Sequence, residues 1–221
     1  MLQPSTLKFL KELKKNNNKP WFDQNRSRYE AVKLDFEQFI STILQKFSGT
    51  DEDISTLNAK DCMFRINRDI RFAKDKSPYK TNIGASFSRG GKKSAFAGYY
   101  FHCEPGESFA GGGIWMPMPD EVKKIRQEID YCFDELKNII SSKRFVNVYG
   151  DLSQDKEFAL VNLPKGYEKD NPAATYLKLK SWIATRSLSD NELTADSLAD
   201  EVTKSFETLM PLVKFINRAM E

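Results

Sequence analysis

The spacing of apolar residues changes along the chain, from a helical repeat near both ends to strict alternation in the middle. Leu7, Leu10 and Leu13 recur every three residues, as they do on one face of a helix. Ile83 and Phe87 instead belong to a stretch in which apolar and polar residues alternate, which is the period of a strand. Because helices and strands come in separate blocks, the sequence predicts an α+β fold. We expect amphipathic helices packed on an antiparallel sheet.

The same patterns predict where each element lies. The predicted helices cover residues about 5–15, 20–47, 119–140 and 195–219. The predicted strands form a meander within residues 62–116, and further strands at 144–149 and 180–187 extend the sheet. The glycines Gly111–Gly113 would weaken a strand, so a bulge or a close backbone approach is expected there. We find no linker, and we expect a single domain over residues 1–221.

The composition is that of an ordinary globular protein. Apolar residues make up 40% and charged residues 29% of a 221-residue chain, which is enough for a core without disulfides or metals. The net charge of +3 favours neither nucleic acid nor a membrane as partner, and no apolar run is long enough to span a bilayer. The three cysteines form no CxxC pair, and no signal-peptide pattern is visible. We therefore expect reduced thiols in a cytoplasmic protein.

One segment, FRINRDIRFAKDKSPYK (Phe64–Lys80), concentrates positive charge. It holds six basic and two acidic residues, a net +4 in a chain whose total is +3. The strand-like neighbours downstream favour a strand over Phe64–Phe72, with a helix as the alternative. A strand would direct Arg68 into an apolar face, where an unpaired charge is very costly. The second half, Ala73–Lys80, is expected to be a loop because Pro78 breaks regular structure.

Four functional hypotheses follow from this segment. In the first, the arginines and lysines bind an anionic ligand, and a phosphorylated ligand fits best. The residues expected to bind it are Arg65, Arg68, Arg71, Lys76, Tyr79 and Lys80. In the second, the protein is an enzyme of unknown reaction in which Asp69, Asp75 or His102 moves a proton. The third is a nucleic-acid-binding module with aromatic residues that stack on bases, and the fourth is an ion-pair network that stabilises the fold.

The sequence points to no cofactor and no metal. His102 is the only histidine, and a lone histidine in a strand is more often structural than catalytic. The acids Asp69 and Asp75 lie among cations that repel a metal ion. The lysines that follow Gly90 and Gly91 lack the spacing of a phosphate-binding P-loop. We therefore expect neither cofactor nor metal, and a small anion is the first ligand class to test.

The charged segment resembles the signature of the DUF2461 family. The pattern R-x-x-R-D-x-R-F-x-x-D-K-x-P-Y-K runs from Arg65 to Lys80, and the segments NNNKPWFDQNRSRYE, GYYFHCEPGESFAGGG, IWMPMP and LPKGY are similar to recurrent segments of that family. The similarity covers nearly the whole chain and implies a bacterial protein of about this size. It implies that one set of residues matters together: Arg65, Arg68, Asp69, Arg71, Phe72, Asp75, Lys76, Tyr79 and Lys80. It implies no particular reaction and no catalytic residue.

Overall fold

Ten α-helices and a four-stranded sheet make up the chain. The computed structural model describes residues 1–221. The helices are α1 (Pro4–Lys15), α2 (Lys19–Gln24), α3 (Arg26–Phe47), α4 (Ala59–Cys62), α5 (Pro119–Tyr131), α6 (Phe133–Ile140), α7 (Lys143–Tyr149), α8 (Ala174–Leu177), α9 (Asp190–Leu193) and α10 (Leu198–Arg218). The strands are β1 (Ile83–Ser88), β2 (Gly98–Cys103), β3 (Ser108–Ile114) and β4 (Trp182–Leu188). None of the helices is both long enough and apolar enough to cross a membrane.

The sheet confirms the predicted α+β class. Its strands are antiparallel and follow the order β1-β2-β3-β4, so strands that are consecutive in sequence are neighbours in space. The last strand, β4, lies where a late extension of the sheet was expected. In β2, Tyr99, Phe101 and Cys103 are buried, whereas Tyr100 and His102 between them are only partly buried. Because side chains alternate along a strand, β2 has one apolar face and one polar face.

Two of the predicted helices are each divided at one residue. The helix expected at residues 20–47 is α2 and α3, separated at Asn25, whose side chain donates to the carbonyl of Trp21 at 2.9 Å. Asparagine side chains compete for backbone hydrogen bonds in this way, so they favour helix ends over helix interiors. The helix expected at 119–140 is likewise α5 and α6, separated at Cys132.

The strand predicted at residues 144–149 is wrong, because this segment is helix α7. Ser142 caps its first turn by accepting the backbone N–H of Phe145 at 3.3 Å. Phe145 is buried, and the hydroxyl of Tyr149 donates to the carbonyl of Ser205 at 2.6 Å. The two aromatic residues lie four positions apart, a spacing that suits one face of a helix as well as one face of a strand. The serine cap decides in favour of the helix.

The strand predicted at Phe64–Phe72 is also wrong. Only isolated bridges remain, such as the one between Asn67 and Tyr79. The carboxylate of Asp69 accepts the backbone N–H of Arg71 at 3.3 Å. Local side-chain contacts of this kind form turns and compete with strand pairing. The meander expected within residues 62–116 therefore consists of the three strands β1, β2 and β3.

The glycines of β3 confirm the predicted close approach of backbones. A Cβ on Gly112 would lie 2.2 Å from the carbonyl oxygen of Gly98, and a Cβ on Gly113 would lie 2.0 Å from that of Trp182. Gly113 also has a φ of +112°, which favours a residue without a side chain. A side chain at either position would push neighbouring strands apart.

The chain divides into two compact units. The first comprises Met1–Lys92, Tyr100–Ala110 and Ser187–Lys204, and the second comprises Lys93–Tyr99, Gly111–Arg186 and Ser205–Glu221. In the first unit, α1 and α2 pack on α3, and the ring of Phe39 lies 4.9 Å from that of Phe101. In the second unit, α5 packs on α6 and α8, and the rings of Tyr99 and Phe206 are 5.1 Å apart. A single domain over residues 1–221 stays a prediction.

Asn217 should be a sensitive position in the second unit. Its side chain accepts the backbone N–H of Ala97 at 2.7 Å and donates to the carbonyl of the same residue at 3.2 Å, and Asn217 is 6% exposed. Asn217→Ala leaves a buried donor and a buried acceptor unpaired, so the free energy of unfolding should fall by about 1–3 kcal/mol. Urea denaturation measures this change. The control is Asn138→Ala at an exposed position of α6, and equal midpoints for the two variants would contradict the expectation.

Candidate functional site

The basic segment folds back on itself as an irregular hairpin, which we call the motif hairpin (residues 64–80). Its arms are joined by backbone hydrogen bonds, one of which runs from the N–H of Arg68 to the carbonyl of Pro78 at 2.9 Å. The paired arms form the base of the hairpin, and residues 69–77, together with the Arg68 side chain that pairs with Asp75, form its tip. The basic residues of the segment are therefore divided between two environments.

The two arginines of the tip are paired with carboxylates of the hairpin. Arg71 donates to both carboxylate oxygens of Asp69, at 3.0 and 2.7 Å. Hydrogen bonds from Ser77 and then from Arg68 hold the pKa of Asp75 well below its usual range. The prediction that Arg68 points into an apolar face is wrong, since its side chain is 28% exposed. Without a regular strand, no alternation directs this side chain inward.

Two more residues of the predicted binding set hold the hairpin in place. Lys76 donates to the carbonyl of Ile70 at 3.0 Å. Tyr79 is buried, and its ring stacks on that of Phe22 at a centroid distance of 3.9 Å. Asn17 accepts the backbone N–H of Tyr79 at 3.1 Å and donates to its carbonyl at 2.9 Å. Asn17 is a residue that sequence reasoning missed, because it lies 62 positions away in the chain.

Two cations of the hairpin base have no acidic partner. Arg65 is exposed and makes neither a hydrogen bond nor an ion pair. Lys80 is half-buried and forms no ion pair, and its ammonium group lies 5.4 Å from the centre of the Phe64 ring. Burial, and after it the charge of Arg65, lowers the pKa of Lys80. A bound anion would relieve the repulsion between these two cations.

A line of three polar side chains runs along β2 on the face opposite its buried residues. The hydroxyl of Tyr100 lies 3.2 Å from Nδ1 of His102, and Nε2 of His102 lies 3.4 Å from Oε2 of Glu104. Phe109 of β3 stacks on the His102 ring at 4.8 Å. The sequence predicts a role for His102 but misses its two partners. The alternation Y-x-H-x-E is the signal that identifies them, because alternate residues share one face of a strand.

The charges along this line follow from burial and hydrogen bonding. Burial raises the pKa of Glu104, but hydrogen bonds from Thr81 at 2.8 Å, from Lys14 at 3.3 Å and from His102 outweigh burial and lower it overall. Burial lowers the pKa of His102, and the nearby Glu104 offsets this only in part. Burial raises the pKa of Tyr100 to about 12. At neutral pH the line therefore consists of a carboxylate, a neutral imidazole and a neutral phenol.

The motif hairpin brings one of its unpaired cations, Lys80, beside this line. The N–H of Phe64 donates to the carbonyl of Gly84 at 3.0 Å, which joins the hairpin to β1. The Phe64 ring meets the edge of Tyr100 at a centroid distance of 6.2 Å, and the charge of Lys80 contributes to the lowered pKa of His102. A Cβ on Gly84 would lie 2.4 Å from the Tyr100 hydroxyl oxygen, so only glycine leaves room for this ring. The candidate site consists of Arg65, Lys80, Tyr100, His102 and Glu104.

The other predicted acids lie away from this site. Asp69 and Asp75 are in the tip, each is paired with an arginine, and neither forms a hydrogen bond with His102. A surface groove of about 500 Å³ in the second unit contains one cation, Arg144. Arg144 is paired with Glu207 at 2.8 Å, so the groove offers an anion no unpaired charge.

The fold and the site together define an α+β protein with a polar, cation-flanked face on its sheet. A family model described as "Conserved hypothetical protein (DUF2461)" matches residues 5–215. The chain therefore belongs to the DUF2461 family, as its resemblance to that family predicts. No curated protein and no solved structure matches the chain.

His102 should titrate below its ordinary pKa of 6.5, because burial favours the neutral imidazole. NMR of the single histidine measures this value directly. Because the pKa is lower in the folded state than in the unfolded chain, the contribution of His102 to stability is present above pH 6.5 and is lost as the pH falls. Glu104→Gln removes the opposing effect, so the pKa should fall further. Glu107→Gln is the control with a smaller effect, and a higher pKa in Glu104→Gln would contradict the assignment.

Asn17 should contribute more to stability than Arg68. Asn17→Ala removes two partly buried hydrogen bonds to the backbone of Tyr79, so the free energy of unfolding should fall by about 1–2 kcal/mol. Arg68→Ala removes an ion pair with an exposed partner, and such pairs contribute little. Urea denaturation of both variants tests this order. A larger loss in Arg68→Ala would show that the tip network, rather than the Asn17 contact, maintains the hairpin.

Proposed function

We propose that the protein binds a small anionic ligand between Arg65 and Lys80, and that a phosphate group is the anion that fits best. The observation that carries this proposal is a pair of cations without a carboxylate partner on adjacent arms of the hairpin, where the N–H of Lys80 donates to the carbonyl of Ile66, the residue after Arg65, at 2.8 Å. An arginine fork binds two oxygens of a phosphate or carboxylate, and a lysine adds a compact charge. A bound anion would raise the lowered pKa of Lys80 towards its ordinary value, since a nearby negative charge stabilises the protonated ammonium.

The tip of the motif hairpin has a separate, structural role. Arg68 and Arg71 are paired with carboxylates of the chain, as the hypothesis of a stabilising ion-pair network expects. The tip residues and the contact with Asn17 keep the base of the hairpin in one shape. A ligand site on the base therefore lies on a preorganised backbone, which reduces the entropy that binding costs.

Nucleic acid is an alternative ligand that one observation favours. Phe72 is 95% exposed, and the Arg71 guanidinium lies 5.9 Å from the centre of its ring. Exposed aromatic residues beside cations stack on unpaired bases, and such binding weakens steeply with added salt. This alternative places the ligand on the tip of the hairpin, whereas a small anion on Arg65 and Lys80 occupies its base. Substitutions at the two ends therefore separate the alternatives.

We also propose that the protein works in the cytoplasm. Cys62, Cys103 and Cys132 are free thiols, and the first two are buried. Burial raises the pKa of Cys62 to about 11 and that of Cys103 to about 12, so both thiols stay protonated at neutral pH. Unpaired thiols of this kind are typical of proteins in a reducing compartment.

Calorimetric titration with inorganic phosphate at low ionic strength tests the ligand site. Arg65→Ala and Lys80→Ala should each weaken binding about tenfold or more, because a charge-assisted hydrogen bond contributes about 1.5–3 kcal/mol. Arg71→Ala and Lys74→Ala in the tip are the matched controls and should bind phosphate like the unmodified chain.

Two results would count against this proposal. The first is unchanged phosphate affinity in both base variants, and the second is an equal loss in the tip variants. A parallel titration uses a single-stranded oligonucleotide. The nucleic-acid alternative would replace the small-anion proposal if the oligonucleotide bound, if Phe72→Ala abolished that binding, and if phosphate did not bind at the base.

A further inference from the structure

The line of polar side chains on β2 has a direction. Nδ1 of His102 faces the Tyr100 hydroxyl at 3.2 Å, and Nε2 faces Glu104 at 3.4 Å. An ionised carboxylate can only accept a hydrogen bond, so Nε2 carries the ring proton and Nδ1 is the acceptor. Tyr100 therefore donates its O–H to His102, and His102 donates its N–H to Glu104.

The two ends of this line have different surroundings. At one end, Thr81 and Lys14 both donate to Oε1 of Glu104, and Glu104 is 8% exposed. At the other end, the Tyr100 hydroxyl makes one hydrogen bond, to His102, and keeps lone pairs free to accept another. The Tyr100 ring packs over Gly84, whose missing side chain makes room for it. Tyr100 is only partly buried, whereas Glu104 is buried, so the Tyr100 end is the one that we expect a ligand to reach.

One of the two unpaired cations, Lys80, lies at this same end. The Phe64 ring touches Tyr100 at its edge and has the Lys80 ammonium above it. Arg65 follows Phe64 in the chain and is close enough to lower the pKa of Lys80. A phosphate or carboxylate on these cations brings the neighbouring atoms of the ligand towards the Tyr100 oxygen. Such placement beside a hydrogen-bonding group is what proton transfer requires.

A structural role alone explains less of this arrangement. Phe64 and Phe109 flank the line with aromatic rings, so an apolar side chain at position 102 would pack there without any polar partner. Burying an imidazole and a carboxylate side by side has a desolvation cost that an apolar pair avoids. In this connected chain the inner end receives further hydrogen bonds from Thr81 and Lys14, whereas the outer end has a hydroxyl oxygen that can still accept one. That asymmetry is what a relay to a ligand needs.

We propose that Tyr100, His102 and Glu104 form a catalytic proton relay that acts on the ligand of the proposed function, on which this inference rests. The ligand is a small phosphate or carboxylate with an acidic C–H or O–H bond beside its anionic group. That bond breaks, its electron pair stays on the ligand, and Arg65 and Lys80 stabilise the negative charge. The ligand proton passes to the Tyr100 oxygen as the Tyr100 proton passes to Nδ1 of His102, and Glu104 stabilises the imidazolium. The reverse path returns a proton to the same atom or a neighbouring one, which is the chemistry of an isomerase.

The three residues have different parts in this step. Tyr100 is the catalytic residue that touches the ligand, and His102 is the base behind it. Glu104 is a positioning residue, because it fixes which nitrogen of His102 carries the proton. The charged groups that act on His102 are Glu104, Glu107 and Lys80, from the strand, the following turn and the hairpin. The relay needs neutral His102, so proton transfer should be lost as the pH falls through the pKa of this residue.

Exchange of carbon-bound hydrogen in D2O tests the relay without a known overall reaction. The full chain is incubated with pyruvate, lactate, dihydroxyacetone phosphate and 3-phosphoglycerate, and proton NMR follows the loss of C–H signals. At least one probe should exchange about 100-fold or more faster with the unmodified chain than with Tyr100→Phe or His102→Asn. Tyr131→Phe is the matched control, because Tyr131 is 74% exposed, and it should leave the exchange rate unchanged.

Two additional measurements separate the outcomes. Urea denaturation shows whether the variants fold, and Glu104→Gln should shift the pH profile of exchange to lower pH because it lowers the pKa of His102. The relay would be overturned if the unmodified chain exchanged hydrogen no faster than Tyr100→Phe for every probe while phosphate still bound through Arg65 and Lys80. The proposed function would then stand. Absence of phosphate binding would overturn the proposed function and the relay with it.

Discussion

Burial of one face of β2 is the interaction on which the rest of the site depends. Tyr99, Phe101 and Cys103 are each at most 1% exposed, and their burial sets the register of the strand. A slip of one residue would exchange the two faces and carry Tyr100 and His102 into the core without their partners. The hydrophobic effect, at about 25 cal/mol per Å² of buried apolar surface, therefore positions a polar line that lies outside the core.

Local hydrogen bonds and long-range hydrogen bonds act on different parts of the charged segment and give these parts different roles. Within the tip, carboxylates two to seven residues away pair with Arg68 and Arg71. Across 62 residues, Asn17 holds the backbone at Tyr79 and so fixes the base beside the sheet. Lys80 follows directly, and it is unpaired because the acids of the segment are already engaged. The position of the acids therefore determines which arginines of the segment are paired, Arg68 and Arg71, and leaves Arg65 without a partner.

Much of the fold follows from periodicity, whereas the site depends on pairings that periodicity does not reveal. The apolar stripe of α3 and the alternation of β1 and β2 predict these elements correctly, because each pattern reflects burial of one face. The alternation wrongly predicted that Arg68 points into an apolar face, because Asp69 and Asp75 make turns in place of the predicted strand. Arg65 and Lys80 were predicted to bind a ligand together with four other residues. Only the three-dimensional arrangement shows that these two lack acidic partners and that Lys80 lies beside Tyr100.

We propose that the base of the motif hairpin and the polar face of β2 form one anion-binding site. A crystal structure of the chain with bound phosphate would show this site. We expect a phosphate within hydrogen-bonding distance of the Arg65 guanidinium and the Lys80 ammonium, beside the Tyr100 hydroxyl, with the ion pairs of the tip intact. A phosphate held instead by Arg68 or Arg71, with those ion pairs broken, would contradict it.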